Sequence, residues 1–398
     1  MTATSLPRHL TLAAVFSIGA SVLAGPLVPP VGPVAPTGKT LTELEPRIAI
    51  SATNTPGDAN STFKITQSGS YYLTSNLTGE PAKHGIELAA TNVTIDLNGF
   101  TMLGVAGSLN AFSASGPTSA NITVRNGHVR SWGNGGVHLI DQSGSRSIVE
   151  KIHASNNGWD GISVGASSIV KDCIASDNGL SGIRTSDNGV VSNCIASNNT
   201  QSGFVTTING TVHGCTSSNN SGSGYILGFG SALLGSTAQA NSANGINVGT
   251  GSLVRDCSSY DNLGIGIVAS SGSRVESCVS RGNNGAGITA LSSSSIINNT
   301  CNLNGQGPTP SAGISVSSGD SRIEGNHCAG QDFGILVTGS GNLIIRNTCT
   351  NNVTNWDIAA NNFFGAIINR IGVITGAVTG DAAGSTLGTS DANANFTY

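Results

Sequence analysis

Trp132, His138, Trp159, Asp160, Ser163 and Arg184 are the side-chain types that recognise sugars. Aromatic faces take the apolar side of a ring, while hydroxyl, imidazole, carboxylate and guanidinium groups take its hydroxyls. Each of the two Trp residues lies just ahead of a Gly followed by a large apolar residue, Gly136-Val137 and Gly161-Ile162. His138, Ser163 and Arg184 each come directly after the apolar member of successive Gly-apolar pairs. If the spacing is structural, these groups converge on one surface as a substrate-binding set. The alternative is that both Trp pack against the Gly/Ser/Ala-rich stretch Val105 to Ala120, because large aromatics chiefly bury area. His128 and His153 form a neighbouring pair, read as surface histidines.

The element that must position these residues is a repeat. Gly-apolar pairs recur at Gly136-Val137, Gly161-Ile162, Gly182-Ile183, Gly203-Phe204, Gly224-Tyr225, Gly245-Ile246, Gly266-Ile267, Gly287-Ile288, Gly313-Ile314 and Gly334-Ile335. The intervals are 25, then 21 six times, then 26, then 21. Other columns keep the step: Val149, Val170, Val191, Val212, Leu233, Val254, Val275, and the small residues Ala154, Ala175, Ala196, Ser217, Ala238, Ser259, Ser280. A unit of three short β-branched pieces bounded by Gly, Asn, Ser and Asp is one coil of a β-solenoid. Equivalent residues then stack about 4.8 Å apart on successive rungs. The fold expected is all-β, a parallel β-helix with three strands per coil. The ten large apolar residues of the Gly-apolar column would contribute about 1.5–3 kcal/mol each when buried, shared between rungs so that no coil folds alone.

Two polar columns fit the same frame. Asn157, Asn178, Asn199 and Asn220 recur at 21, and Asn262 and Asn283 rejoin the register; Asn suits turns, and its amides can bond from rung to rung. Of the eight Cys, Cys173, Cys194, Cys215, Cys257 and Cys278 share a column with Ile152 and Ser236. With Ser236 as the break, the Cys fall into groups of three and five. Neighbours at about 4.8 Å could bridge, but two rungs, about 9.6 Å, cannot. Odd groups would leave thiols free, and the mixture with Ile and Ser suits a buried core ladder. No C-x-x-C pair or His cluster suggests zinc, and no cofactor is implied.

Composition agrees. Charged residues are 10% of 398 and the formal net charge is −4, so no basic stripe exists to neutralise phosphates and nucleic acid is not expected as a partner. Residues 1–24, with Arg8 and His9 ahead of the apolar run Leu10 to Leu23, read as an export signal; an uncleaved anchor is the alternative, and no other run approaches membrane-spanning length. Residues 25–38 read as a Pro-rich linker, 39–72 as an N-terminal cap, 73–352 as the β-helix, 353–374 as a C-terminal cap and 375–398 as a flexible tail. Two insertions, Val105 to Ala120 and Gly305 to Ala312, should extrude sideways, where solenoids often bind.

The columns, with Val93-Thr94-Ile95-Asp96-Leu97-Asn98-Gly99-Phe100 and Arg322-Ile323-Glu324-Gly325-Asn326, resemble the right-handed parallel β-helix proteins of the pectate-lyase-like superfamily over roughly Gly69 to Asn352. That resemblance implies right-handedness and a polysaccharide or cell-surface glycan as partner. It would imply a calcium site beside an Arg or Lys base in a lyase, or clustered Asp with a nearby His in a hydrolase. This chain departs from both. Asp172 and Asp256 share a column but lie four rungs, about 19 Å, apart, as do Asp177 and Asp261. Nearer charges alternate in sign: Glu150 with Lys171, Lys151 with Asp172, Arg255 with Glu276. No catalytic or metal-binding residue carries over. The expectation is a secreted glycan-binding or cell-surface structural β-helix; the alternative is a lyase or hydrolase of acidic polysaccharide.

Overall fold

A computed structural model describes residues 45–114, 119–140, 145–308, 310–371 and 389–398. The expected export segment, the Pro-rich linker and residues 39–44 of the expected cap lie outside these residues. Every regular element among the described residues is a β-strand, most of them three residues long. In Ile246–Val248 the outer two side chains are buried and Asn247 faces out. Most strands are followed by a bend with one residue in the left-handed region, such as Asp177, Asn198, Asn219 and Asp261 at φ of 57°, 56°, 55° and 55°. Asn and Asp accept that conformation most readily after Gly, which explains their recurrence at the corners.

The strands stack in parallel with the register expected. Ile183, Phe204, Tyr225, Ile246, Ile267 and Ile288 are successive partners. The Gly-apolar strands make one 14-stranded sheet, and the other strands of the coils belong to a 28-stranded sheet. The Gly-apolar column is fully buried. Phe204 and Tyr225 stack at 5.0 Å and 7°, and the Tyr225 hydroxyl lies 2.7 Å from the Cys215 carbonyl oxygen.

The Asn column is more continuous than the spacing suggested. Asn241 and Asn304 complete an unbroken ladder in which each Nδ2–H donates to the next Oδ1, from Asn157 to Asn178 at 3.0 Å through to Asn283 to Asn304 at 2.8 Å.

All eight Cys are buried and free, but their grouping differs from the three-and-five reading. Cys301, Cys328 and Cys349 do not continue the first column. They follow Ser280 in the small-residue column, because the first column passes to Asn299 after Cys278. The Cys173 and Cys194 backbone N–H groups point at the next sulfur, each at 3.4 Å, the Cys215 N–H donates to Ser236 Oγ, and the Cys278 N–H to Asn299 Oδ1. Sulfur, hydroxyl and amide oxygen thus fill one acceptor position. From Asn299 the column becomes a second amide ladder through Asn326 and Asn347 to Asn395.

At the ends, Ile48–Ala49, Ser61–Ile65 and Gly69–Tyr72 already pair in parallel with following strands, although the period is absent there. The tail expected to be loose is docked where it is described. Asn395–Thr397 pairs with both Thr348–Thr350 and Ile367–Asn369, and Trp356 Nε1–H donates to Thr397 Oγ1 at 2.6 Å. Burial of Asn395 at the end of the amide ladder holds it. Residues 375–388 lie outside the described residues.

Candidate functional site

One outward line of the 14-stranded sheet gathers chemistry at its N-terminal end. Lys64, Glu87, Ser113, His138, Ser163 and Arg184 are register partners on six adjacent strands. Alternation turns them away from the core, since Val137 and Leu139 on either side of His138 are buried, although Glu87, Ser113 and Ser163 are themselves covered by neighbouring groups. Past Arg184 the line turns apolar with Val205 and Ile226, and polar residues return to it only singly or in pairs, at Asn247, Thr289, Ser315 and Asp357.

Asp160, in the turn before the Ser163 strand, organises the far end. Its Oδ1 accepts the Ser181 backbone N–H at 2.8 Å. Its Oδ2 accepts the Ser163 hydroxyl at 2.8 Å and Arg184 Nε–H at 2.9 Å. Arg184 Nη2 also reaches Ser181 Oγ at 3.3 Å. The carboxylate is buried and committed, so its role is to hold the guanidinium in one orientation. His138 packs edge-on to Trp159, with ring centroids 6.3 Å apart and 69° between planes. Burial pushes the His138 imidazole below its ordinary range, opposed by the Asp160 charge and reinforced by His84. Trp159 remains 44% exposed.

Trp132 does not join them. It is 1% exposed, and its Nε1–H donates to the Met102 carbonyl at 3.2 Å. A Cβ at Gly79 or Gly85 would lie 2.7 or 2.6 Å from its ring. The two Trp are not equivalent by register. The Trp132 N–H donates to Asn157 Oδ1, which puts Trp132 in the inward ladder position, whereas Trp159 bonds to the Asn134 carbonyl and lies two residues beyond the ladder. Trp132 is therefore a core residue and drops out of the binding set. Its neighbours are Gly79, Gly85 and Met102.

Spacing missed the near end of the line. Glu87 is buried and pairs with Lys64 Nζ at 2.9 Å. His84, whose imidazole burial also pushes down, accepts the Asn110 N–H on Nδ1 at 3.2 Å. The signal was present: Gly85-Ile86 is another Gly-apolar pair, and Glu87 follows it as His138 follows Val137. The Val105 to Ala120 stretch does not extrude as expected: it contributes the strand Phe112–Ala114, with Ala111 and Phe112 buried, and Ala111 in place of the next Gly hid the interval. Glu87 and Asp160 stand three rungs, about 14 Å, apart, too far to flank one glycosidic bond. What the arrangement offers is an exposed aromatic, a fixed guanidinium and an uncharged imidazole beside them.

Elsewhere, His128 and His153 are register partners with centroids 5.6 Å apart, beside a cleft of about 420 Å³. Of the alternating charges, Glu150 and Lys171 pair at 2.7 Å, while Glu276 takes Arg274 rather than Arg255. Among the described residues no group of three or more His, Cys, Asp or Glu could hold a metal ion, and no helix is long and apolar enough to cross a membrane.

Residues 63–207 and 117–238 match the family model described as right handed beta helix region, and residues 232–376 match that of the periplasmic copper-binding protein NosD. No curated protein matches the chain. Among solved structures, the chain is similar to the A-module of a mannuronan C-5 epimerase from Azotobacter vinelandii, at 16% identity and TM-score 0.48 over 74% of this chain and 90% of that one. It is also similar to the Dettilon tailspike protein, at 14% identity and TM-score 0.49 over 70% of this chain and 60% of that one. With the parallel coils and their internal ladders, the family matches make the chain a right-handed parallel β-helix repeat protein.

Proposed function

We propose that the chain is an exported glycan-binding β-helix whose ligand lies along the N-terminal rungs of the 14-stranded sheet. The observation that carries this reading is the half-exposed Trp159, set edge-on to His138 at 6.3 Å beside an Arg184 that Asp160 holds at 2.9 Å. An aromatic face takes the apolar side of a sugar, and a preorganised guanidinium forms hydrogen bonds without first losing side-chain freedom. The periplasmic description attached to the model matching residues 232–376 supports a place outside the cytoplasm.

A glycan array read with the parent and Trp159→Ala tests the reading. The parent is expected to retain at least one class of glycan, and the variant to bind it about tenfold more weakly, the equivalent of about 1.4 kcal/mol. Absence of binding to every glycan counts against it. The half-buried His138, whose imidazole burial pushes below its ordinary range, favours a second reading, polysaccharide cleavage with His138 as base. Product release from polyuronates that disappears in His138→Ala would replace binding by lyase or hydrolase activity.

A further inference from the structure

The chain has seven His, and among the described residues one pair of them occupies register-partner positions on adjacent strands. His128 and His153 stand opposite each other where Ile122–Arg130 pairs in parallel with Ile148–Ser155. These are the longest strands of the solenoid, nine and eight residues where most have three, so both side chains leave one continuous surface. Val129 and Ala154 beside them are buried, which by alternation turns both rings outward. The ring centroids are 5.6 Å apart and the planes are inclined at 56°.

Three features make this more than two surface imidazoles. The pair opens on a cleft of about 420 Å³, and at Gly99 on its wall a Cβ would meet nothing within 4 Å, so there is room beside the rings. The charges around it offset one another: Lys151 and Asp172 line the cleft, and Arg130 and Asp177 end the flanking strands. Net charge therefore selects neither a cation nor an anion, and the donors left are the imidazole nitrogens. Burial pushes the His153 imidazole below its ordinary range, reinforced by His128 and opposed by Asp177, so at neutral pH it offers a lone pair rather than a second proton. Among the described residues neither ring hydrogen-bonds to a protein group.

We propose that His128 and His153 together bind one divalent ion of the class that prefers imidazole, with zinc its representative. Each ring gives one nitrogen, and the ion ties two adjacent rungs. Among the described residues no third His, Cys, Asp or Glu completes the set, so water or an incoming anionic ligand takes the other positions, as in sites that keep open coordination. Magnesium and calcium, which take oxygen donors, are not held. Residues 232–376, matched by the copper-binding model, offer no such pair: His327 is their one His, they have no Met, and their Cys are buried. The ion site belongs to the rungs of His128 and His153 instead.

Calorimetric titration of the untagged full chain with zinc chloride at neutral pH, and with magnesium chloride as control, tests this. Saturable binding of zinc is expected, and none of magnesium. His128→Ala and His153→Ala should each weaken zinc binding about tenfold or more. His213→Ala, which removes an outward His flanked by Ser192 and Leu234, should leave it unchanged. Zinc should raise the Tm of the parent and of neither pair variant, because only the folded chain holds the two rings together. In the parent, zinc should also shield His128 and His153 from acylation by diethyl pyrocarbonate, mapped by mass spectrometry, a readout free of any folding defect in the variants. The proposal is overturned if zinc binding does not saturate, if magnesium binds as tightly, if either pair variant titrates like the parent, or if both His are acylated equally with and without zinc.

Discussion

Asn262 receives on one carboxamide oxygen both the backbone N–H and the side-chain Nδ2–H of Asn241, at 3.0 and 2.9 Å. The same side chain donates onward to Asn283 Oδ1 and to the Ala238 carbonyl. One residue thus satisfies polar groups on the rung before it and the rung after it, inside a core where water cannot substitute.

Asn262→Ala should therefore be costly. It leaves two buried donors of Asn241 without an acceptor, and each unsatisfied group costs about 1–3 kcal/mol. A loss of about 3 kcal/mol or more is expected, read as a lower urea midpoint. A variant that unfolds at the parental midpoint would mean that the ladder contributes nothing net.

The thiols have their own test. Each Cys is at most 2% exposed, burial holds the Cys328 thiol well above its usual range, and a protonated, covered thiol is inert. The native chain should show no reaction with an aromatic disulfide reagent, and all eight Cys should titrate in urea without reductant. Fewer than eight in urea would reveal bridges between neighbouring rungs.

His138, His84 and His153 are all pushed down by burial. Above pH of about 6.5 each is neutral in both folded and unfolded chains. As pH falls below that value the unfolded chain takes up protons first, so stability declines on acidification. Tm should drop between pH 7 and pH 5, and His138→Gln should make that drop smaller. An equal drop in both proteins would show that His138 charges as readily folded as unfolded.

The coil, its period and the inward columns were legible because stacking forces like residues to recur, and Ile183, Phe204 and Ile246 are buried where the interval puts them. The candidate site was legible only in part. Trp159, His138 and Arg184 lie on the regular rungs, so a fixed interval finds them. Trp132 was misplaced because it was equated with Trp159, although it stands four residues before Gly136, as the inward Asn157 stands four before Gly161, while Trp159 stands two before it. Glu87 and Lys64 stayed hidden because Ala111 stands where the next Gly of the column would be, with intervals of 26 and 25 from Ile86 to Phe112 and from Phe112 to Val137. Cys301, Cys328 and Cys349 were assigned to the wrong column because neighbouring columns two residues apart both accept Cys.

Asn395 closes the second ladder from 48 residues beyond Asn347, whereas the other steps of that ladder span 21 or 27. As the chain leaves the ribosome, most coils can dock as soon as the next one emerges. The Thr348–Thr350 strand must instead wait for Asn395–Thr397. Until then its backbone is an open template for another nascent chain.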